Sequence, residues 1–507
     1  MLSRHLNIAA RTLGALLSVA TGSGFAWSAC AAAQPLWSPA ELAAAGGLGP
    51  VSCPTTGLCV AGSSDGFEVS TDPTGGPAAW ETAPVFPGDD AFVDALSCTP
   101  AGACVAGDTA GNLIATADAR SGTWTALQQP AGIADCNPES SCDPVTGVSC
   151  LPGLCVAVSA DGQVLTSKDP TATADAWTVR HVPHASFEGV SCPTTALCVA
   201  LGGNRSGMGI FTATNPQGGA GAWRFTRVPW SGVAYGVACP TTGFCAAATN
   251  FGGRILTSTD PAARASSWKA TVLGSIDTGG LGQIGADRGA FSCAGPSLCV
   301  LVNGFGNAVV ATHPTEGVRA WASVTVVRNP ANEITNQLDG VSCPAPDLCV
   351  ATDLDAEEVW TSTDPGAPAS LAPRVSRAAL QGAGTGALSL TLSLQAAPGA
   401  GEIDKFSIAA GYQLQLAAKH ARIKLADDHG EPLPFTAHIT RAPYGLALTP
   451  ARAVESLELT LRRPAIALPA YLARLIRTRH LRTLLLQIIA TTSQGRTIIV
   501  ATDARAS

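Results

Sequence analysis

A motif built on two cysteines occurs seven times along this 507-residue chain. One full version reads GVSCPTTALCVALGG, at residues 189–203, and the motif returns every 42 to 54 residues. A unit that recurs at such a period indicates a repeat architecture. Its abundance of Val, Thr, Gly and Pro is unfavourable for paired helices and favours short β-strands. The repeat therefore predicts the blades of a β-propeller.

The third repeat shows how one unit divides into strands. Four short segments with strand character lie at residues 147–150, 155–159, 163–167 and 176–182. Asp161-Gly162 stands between the second and third segments, and this dipeptide suits a tight hairpin turn because it tolerates positive φ. Four antiparallel strands make one blade, so seven repeats predict an all-β, seven-bladed β-propeller.

The two ends of the repeat array predict how the ring closes. The seventh repeat lacks a fourth strand, since a Pro/Ala-rich stretch follows Pro365 directly. The segment PLWSPAEL, residues 35–42, precedes the first repeat and can supply that strand, placing Trp37 beside Trp360. A ring closed by its own N-terminus leaves no unpaired strand edge. We therefore expect the propeller to span residues 34–365, with residues 34–44 completing the last blade.

Sixteen of the seventeen cysteines are predicted to form disulfides within short loops. Even, regularly spaced cysteines behind an export signal imply an oxidising compartment. A zinc site is disfavoured because no histidine recurs beside the pairs and structural zinc prefers tighter spacing. The predicted disulfides are Cys53–Cys59, Cys98–Cys104, Cys136–Cys142, Cys150–Cys155, Cys192–Cys198, Cys239–Cys245, Cys293–Cys299 and Cys343–Cys349.

Residues 1–33 are expected to be a signal peptide. Arg4 and Arg11 precede or begin an apolar run that ends in small residues, as a signal peptidase requires. The run is too short, and too interrupted by glycine, for a transmembrane span. The protein is therefore predicted to be extracellular or at the cell surface. Cys30 lies in the cleavage region and offers an alternative, a lipid anchor on the new N-terminus.

A turn between the third and fourth strands recurs as Ser-x-Asp-Pro followed by tryptophan, as in STDPTGGPAAW from Ser70 to Trp80. This turn resembles the Asp-box of bacterial-neuraminidase-type repeat (BNR) propellers, which include sialidases, sortilin-type receptors and photosystem II assembly factors. The cysteine hairpin resembles a variant of secreted actinobacterial proteins. The resemblance covers about two-thirds of the chain and implies the propeller fold. In that family the Asp-box is a structural turn, so it implies no activity.

The charge of the chain divides at residue 365. Residues 34–365 contain 12 Lys+Arg and 29 Asp+Glu, a balance of −17, whereas residues 366–507 contain 16 and 8, a balance of +8. An acidic array repels nucleic acid, so DNA or RNA binding is not expected. Residues 366–380 indicate a linker, and the alternating apolar segments of residues 381–507 predict an immunoglobulin-like β-sandwich domain.

Basic residues of the second domain concentrate in RLIRTRHLR, residues 474–482. Two interpretations of this segment stay open. It is either the solvated face of a helix beside the sandwich, or a surface that contacts an anionic cell-wall polymer or lipid.

No catalytic residues emerge from the sequence. GSSDG, residues 62–66, matches a nucleophile-elbow pattern but falls on a predicted hairpin and not on a strand-to-helix turn. A sialidase would need an arginine cluster and a tyrosine nucleophile backed by a glutamate. The array has a single tyrosine, Tyr235, and Glu188 is available in the ring, but the arginine partners are not. A divergent glycan-active, sialidase-like hydrolase is therefore the alternative to a non-enzymatic binding or adhesion module. No cofactor is expected, although Asp353–Glu358 could hold calcium.

The antiparallel strand order predicts which end of the ring binds a ligand. The cysteine hairpins and Ser-x-Asp-Pro turns share one end, and the connections between blades lie at the other. These connections vary, and variable loops on a rigid scaffold usually carry function. We expect a monomer that binds an extracellular protein or glycan there, with acidity that serves only solubility as the alternative. The candidate ligand-binding residues are Asp94, Glu188, Trp230, Tyr235 and Asp339.

Overall fold

The computed structural model describes residues 36–506 with internal gaps. The gaps are 43–46, 64–65, 86–91, 128–129, 131–142, 229–233, 250–252, 264, 274–289, 305, 328–337, 383–386, 410–414, 417–421 and 442–443. Everything described below belongs to one unit that spans residues 35–507. The predicted signal peptide, Cys30 and the Cys136–Cys142 pair lie outside the described residues.

Five blades are antiparallel sheets of four consecutive strands. A short strand, β1 (Ser38–Glu41), precedes them. The first two blades consist of β2 (Leu48–Thr55), β3 (Leu58–Ser63), β4 (Gly66–Ser70) and β5 (Trp80–Pro84), then β6 (Val93–Cys98), β7 (Cys104–Asp108), β8 (Leu113–Thr116) and β9 (Thr125–Leu127). The next three consist of β10 (Val145–Leu151), β11 (Leu154–Ser159), β12 (Gln163–Ser167) and β13 (Thr178–His181), then β14 (Ser186–Thr194), β15 (Leu197–Asn204), β16 (Gly207–Ala213) and β17 (Trp223–Arg227), then β18 (Ala234–Thr241), β19 (Phe244–Thr249), β20 (Arg254–Ser258) and β21 (Trp268–Val272).

The sixth repeat supplies four further strands, β22 (Phe291–Gly295), β23 (Leu298–Asn303), β24 (Asn307–Ala311) and β25 (Trp321–Thr325). The seventh supplies β26 (Leu338–Ala345), β27 (Leu348–Asp353) and β28 (Glu358–Ser362). Strand β1 pairs antiparallel with β28, with Ser38 opposite Thr361 and Glu41 opposite Glu358, and so completes a sixth four-stranded blade. Trp37 and Trp360 are both buried in one apolar cluster.

The C-terminal part adds two helices and ten strands in the described residues. They are α1 (Ala367–Leu371), β29 (Arg374–Gln381), β30 (Ala387–Gln395), β31 (Ile403–Ala409), β32 (Gln415–Leu416), β33 (Ile423–Asp427), β34 (Phe435–Arg441), β35 (Tyr444–Pro450), β36 (Ser456–Ala467), α2 (Ala470–Arg477), β37 (Thr483–Thr492) and β38 (Thr497–Ala506). Alternate strand residues such as Leu390, Leu392 and Leu394 point into a single apolar core. Neither helix is long and apolar enough to cross a membrane, as far as the described residues show.

The predicted seven-bladed propeller followed by a β-sandwich domain is wrong. Within the described residues only six sheets are four-stranded blades. Strands β22–β25 belong instead to a fourteen-stranded sheet, because β38 pairs antiparallel with the outer strand β25. The same sheet includes β29–β38, so the C-terminal strands are not a separate sandwich domain.

The composition of β25 explains this continuation. The outer strands of the other five consecutive blades place an exposed polar residue directly after their tryptophan, and in three of them it is charged, as Glu81, Arg224 and Lys269 are. The residue at that place in β25 is Ala322, which is buried against β38 opposite Val500. An apolar edge strand is a template for pairing with another strand, and here the chain's own C-terminus occupies it.

Seven predicted disulfides are confirmed, and each closes the hairpin between the first and second strands of its own repeat. They join Cys53–Cys59, Cys98–Cys104, Cys150–Cys155, Cys192–Cys198, Cys239–Cys245, Cys293–Cys299 and Cys343–Cys349. In three hairpins the two cysteines are direct partners across the strands. In all seven, the Cα atoms of the two cysteines are 4.0–4.1 Å apart.

A belt of serine hydroxyls joins the first strands of neighbouring repeats. Each serine stands just before the first cysteine of its repeat and accepts a hydrogen bond from the backbone N–H of the first cysteine of the next repeat. The bonds measure 2.9–3.0 Å and run from Cys98 to Ser52, Cys150 to Ser97, Cys192 to Ser149, Cys239 to Ser191, Cys343 to Ser292 and Cys53 to Ser342. The bond between Cys53 and Ser342 closes the ring between its last and first repeats.

Candidate binding face of the propeller

The first strands of five repeats contain a β-bulge at one equivalent place. In each, the register shifts around the residue four positions before the first cysteine, so that this residue has no direct partner on the second strand. The bulged residues are Asp94, Thr146, Glu188, Tyr235 and Asp339. A bulge bends its strand and re-aims a side chain, and bulges are frequent beside functional sites. Repetition of the bulge therefore places one re-aimed residue in each of these five repeats.

The first strands also line a central channel of about 290 Å³. Its wall includes residues from β2, β6, β10, β14, β18, β22 and β26. Small residues such as Ala95, Gly147 and Gly189 line the channel, and the half-buried belt serines line it further along. Of the bulged residues, Thr146 and Glu188 contribute to the wall.

Four of the five candidate residues from the sequence are bulged residues. Glu188 is half-buried at the channel, and Asp94 is half-buried in β6. Asp339 is 2% exposed, and one of its carboxylate oxygens would lie 3.7 Å from a Cβ placed on Gly49 of the next repeat. Tyr235 lies at the equivalent place in β18. The fifth candidate, Trp230, lies outside the described residues.

Hydrogen bonds between repeats fix the backbone at this level of the ring. The Thr146 hydroxyl donates to the carbonyl oxygen of Phe187 in the next repeat, at 2.9 Å. The Thr352 hydroxyl likewise donates to the carbonyl oxygen of Gly49 at 2.6 Å. Bonds that cross from one repeat to the next hold the bulged residues in fixed relative positions, which suits a preformed binding site.

Buried carboxylates shape the turns at the same end of the ring. Asp108 accepts hydrogen bonds from the backbone N–H groups of Ala110 and Asn112, at 2.9 and 2.7 Å. Asp353 accepts from those of Asp355 and Ala356, both at 3.0 Å. Burial raises the pKa of Asp108 even though these bonds oppose the shift.

Asp143 fixes the corresponding turn of the third repeat from outside it. Its carboxylate accepts hydrogen bonds from the Ser159 hydroxyl and the Asp161 backbone N–H, both at 2.7 Å. Burial is the main cause that raises its pKa.

The sequence interpretation missed this turn-capping function. The signal was a polar residue four positions after the second cysteine, as at Ser63, Asp108, Ser159 and Asp353.

The opposite end of the ring is built from repeated structural turns. In three of the Ser-x-Asp-Pro turns the serine hydroxyl accepts a hydrogen bond from the backbone N–H of the acidic residue, at 3.1–3.2 Å. The participating pairs are Ser70 with Asp72, Ser167 with Asp169, and Ser258 with Asp260. Short 3-10 helices then lead to the fourth strands, for example Pro77–Ala79 before Trp80. These turns share their end with the disulfide hairpins because successive strands run antiparallel.

No group of three or more His, Cys, Asp or Glu side chains that could hold a metal ion occurs in the part of the chain described. The acidic segment Asp353–Glu358 includes Glu358, whose pKa is raised by burial and then by the nearby Asp353 and Glu41.

The fold defines the class of protein as a β-propeller with a disulfide in the first hairpin of each repeat.

No family model matches the chain, and no curated protein matches its sequence. Similar solved structures include YCF48 bound to D1 peptide, with 13% identity, a TM-score of 0.45 and coverage of 65% of this chain and 97% of that chain. YCF48 from Cyanidioschyzon merolae has 11% identity, a TM-score of 0.44 and coverage of 65% and 99%. The mitotic checkpoint complex structure has 11% identity, a TM-score of 0.46 and coverage of 70% and 99%. Similarity at this level carries no information about a ligand.

Proposed function

We propose that the chain is a secreted, non-enzymatic binding module whose ligand docks at the end of the ring that carries the bulged residues. The observation that carries this proposal is the repeated bulge. It sets Asp94, Glu188, Tyr235 and Asp339 at equivalent places in four repeats, at the end away from the structural turns. A bulge re-aims the side chain of the residue it contains.

The charge of the propeller indicates the chemistry of the ligand. Residues 34–365 have 17 more acidic than basic residues, and Glu188 stands at the channel. An acidic surface attracts cationic groups and speeds their association. We infer that the ligand is an extracellular protein or glycan that presents cationic groups, or one bridged by calcium. A sugar stacked on Trp230 is the glycan form of the same proposal.

Export follows from two features. Disulfides persist in oxidising compartments, and seven are present in the described residues. The N-terminal 33 residues have the composition of a signal peptide. We further propose that the Ser-x-Asp-Pro turns are Asp-boxes of the BNR type, in a structural function that leaves ligand binding to the other end.

The test is a screen of the purified, oxidised protein against a glycan array and against a panel of extracellular proteins, with and without calcium. For any ligand found, Asp94→Ala, Glu188→Ala and Trp230→Ala are expected to weaken binding about tenfold each. The matched controls Asp72→Ala and Asp260→Ala, at the opposite end, are expected to lower stability only. Binding that survives the first set but is lost in the controls contradicts the proposal. Cleavage of a bound glycan would instead support the hydrolase alternative.

A further inference from the structure

Helix α2 presents exposed apolar side chains in the C-terminal part of the molecule. Tyr471 is 51% exposed and Leu475 is 37% exposed, and they are two of the five large hydrophobic residues exposed among those described. They stand four residues apart, so they share one side of the helix. The other side packs on the core through Ile476, and Ala473 is buried as well.

Four exposed arginines lie close in the chain to this exposed pair. Arg474 and Arg477 lie on the helix, and Arg479 and Arg482 follow it, all of them exposed, with no acidic residue between positions 470 and 482. Within the described residues, none of these arginines takes part in a salt bridge. The patch formed by residues 471–482 is therefore basic and apolar at once, and we name it the α2 patch.

The end of the helix holds an arginine where glycine is favoured. Arg479 has φ of 60°, in the left-handed region. Its backbone N–H donates to Ile476, and that of His480 donates to Leu475, which fixes the turn. A non-glycine residue is disfavoured at such a helix end. Arg479 therefore does not occupy this position for stability, which suggests that its positive charge has a function.

We propose that the α2 patch binds an anionic lipid surface, with α2 lying in the plane of the headgroups. Arginines attract anionic headgroups, and a tyrosine ring is favoured at the level of the headgroups. Leu475 enters the boundary between headgroups and acyl chains. A soluble polyanion would pair with the arginines but would gain nothing from the exposed tyrosine and leucine.

Flotation with lipid vesicles tests this proposal on the oxidised full chain. All variants keep the same N-terminus, so differences between them isolate the α2 patch. The chain is expected to float with phosphatidylcholine vesicles that contain phosphatidylglycerol, more than with phosphatidylcholine alone. Replacing Arg477 and Arg479 together by glutamine should lower the partition coefficient about 25-fold, at roughly fivefold per arginine. The matched control Arg224→Gln with Arg227→Gln, on β17, should change nothing.

Arg479→Gly separates lipid binding from folding. Glycine relieves the left-handed backbone, so this variant should melt at a higher temperature and yet bind anionic vesicles about fivefold more weakly. Tyr471→Ser with Leu475→Ser should also weaken vesicle binding while leaving binding to soluble polyphosphate unchanged. Equal binding by the wild type and the Arg477/Arg479 variant would overturn the proposal. Retention on polyphosphate without retention on vesicles would also overturn it, because the patch would then be a polyanion site.

Discussion

In six of the seven repeats, a serine hydroxyl on the first strand accepts a hydrogen bond from the first strand of the next repeat. The remaining repeat has no serine at this position. Ala238 occupies the place that serine holds in the other repeats, so the belt is interrupted between β18 and β22. We predict that Ala238→Ser supplies the missing acceptor for the Cys293 backbone N–H. The free energy of unfolding should rise by about 1 kcal/mol, the net value of one hydrogen bond. Chemical denaturation measures the change.

The opposite substitution is the control for the belt. Ser191→Ala removes the acceptor of the Cys239 backbone N–H, and a polar group left without a partner costs roughly 1–3 kcal/mol. If Ala238→Ser destabilises the protein as much as Ser191→Ala does, position 238 is not equivalent to the serine positions of the belt.

Asp143 predicts a pH dependence of stability. Its pKa is raised in the folded state, mainly by burial, so the folded state holds this proton more tightly than the unfolded state does. The resulting stability is complete below the ordinary pKa of aspartate and is lost as pH rises through the raised folded value. Asp143→Asn removes the titration. The unfolding free energy of the wild type minus that of the variant should therefore increase as pH falls from neutral towards the ordinary aspartate pKa.

Urea unfolding of both proteins across that pH range provides the measurement. Two charged neighbours also act on the Asp143 carboxyl: Asp161 raises its pKa and His181 lowers it. Both residues are unchanged in the variant. A difference between the two proteins that stays constant with pH would contradict the assignment.

At the scale of elements, the edge of β25 decides where the C-terminal strands attach. Ala322→Lys places there the kind of charge that outer strands of other blades carry, in a position buried against β38. A buried charge without a partner destabilises by roughly 3–5 kcal/mol. We predict that β38 separates from β25, and that limited proteolysis then cleaves the chain near α1 much faster. Lys269→Ala on β21, which is exposed, is the matched control and should leave the cleavage rate unchanged.

Strand β1 makes a second prediction for an element. It covers the edge of β28, and Trp37 packs in the same cluster as Trp360. A chain that starts at Gly47 should expose that edge and a large apolar surface, and so should aggregate and melt at a lower temperature. Light scattering and thermal unfolding measure both effects. Equal solubility and equal melting temperature would show that β1 is dispensable.

For the whole molecule, local repetition made much of the fold predictable. The cysteine pairs, the hairpin turns and the alternation of strands recur seven times, so each repeat supports the interpretation of the others. The equivalence of the bulged positions was readable in the same way, because Asp94, Glu188 and Asp339 each stand four residues before a cysteine. Four of the five bulged residues were candidate residues without this alignment, from the acidity and aromatic content of the loops, and Thr146 was not among the candidates.

Long-range pairing was not predictable from the repeats. A blade has more than four strands when another strand pairs with its outer edge. For β25 that strand is β38, which lies more than 170 residues later in the chain. The apolar sequence WASVT of β25, against WETAP or WRFTR in other blades, was the available signal. An apolar outer strand indicates an edge that another strand covers. That signal argues against a C-terminal sandwich separate from the propeller.

Ligand binding at the bulged end of the ring is tested most directly by comparing amide hydrogen exchange in the complex and in the free protein. With the ligand found by the screen, we predict slower amide exchange around Asp94, Glu188, Tyr235 and Asp339, where backbone and channel meet the ligand. The disulfide hairpins and the Ser-x-Asp-Pro turn at Asp72 should exchange as in the free protein. Protection confined to those hairpins and turns, with unchanged exchange at the bulges, would contradict the account.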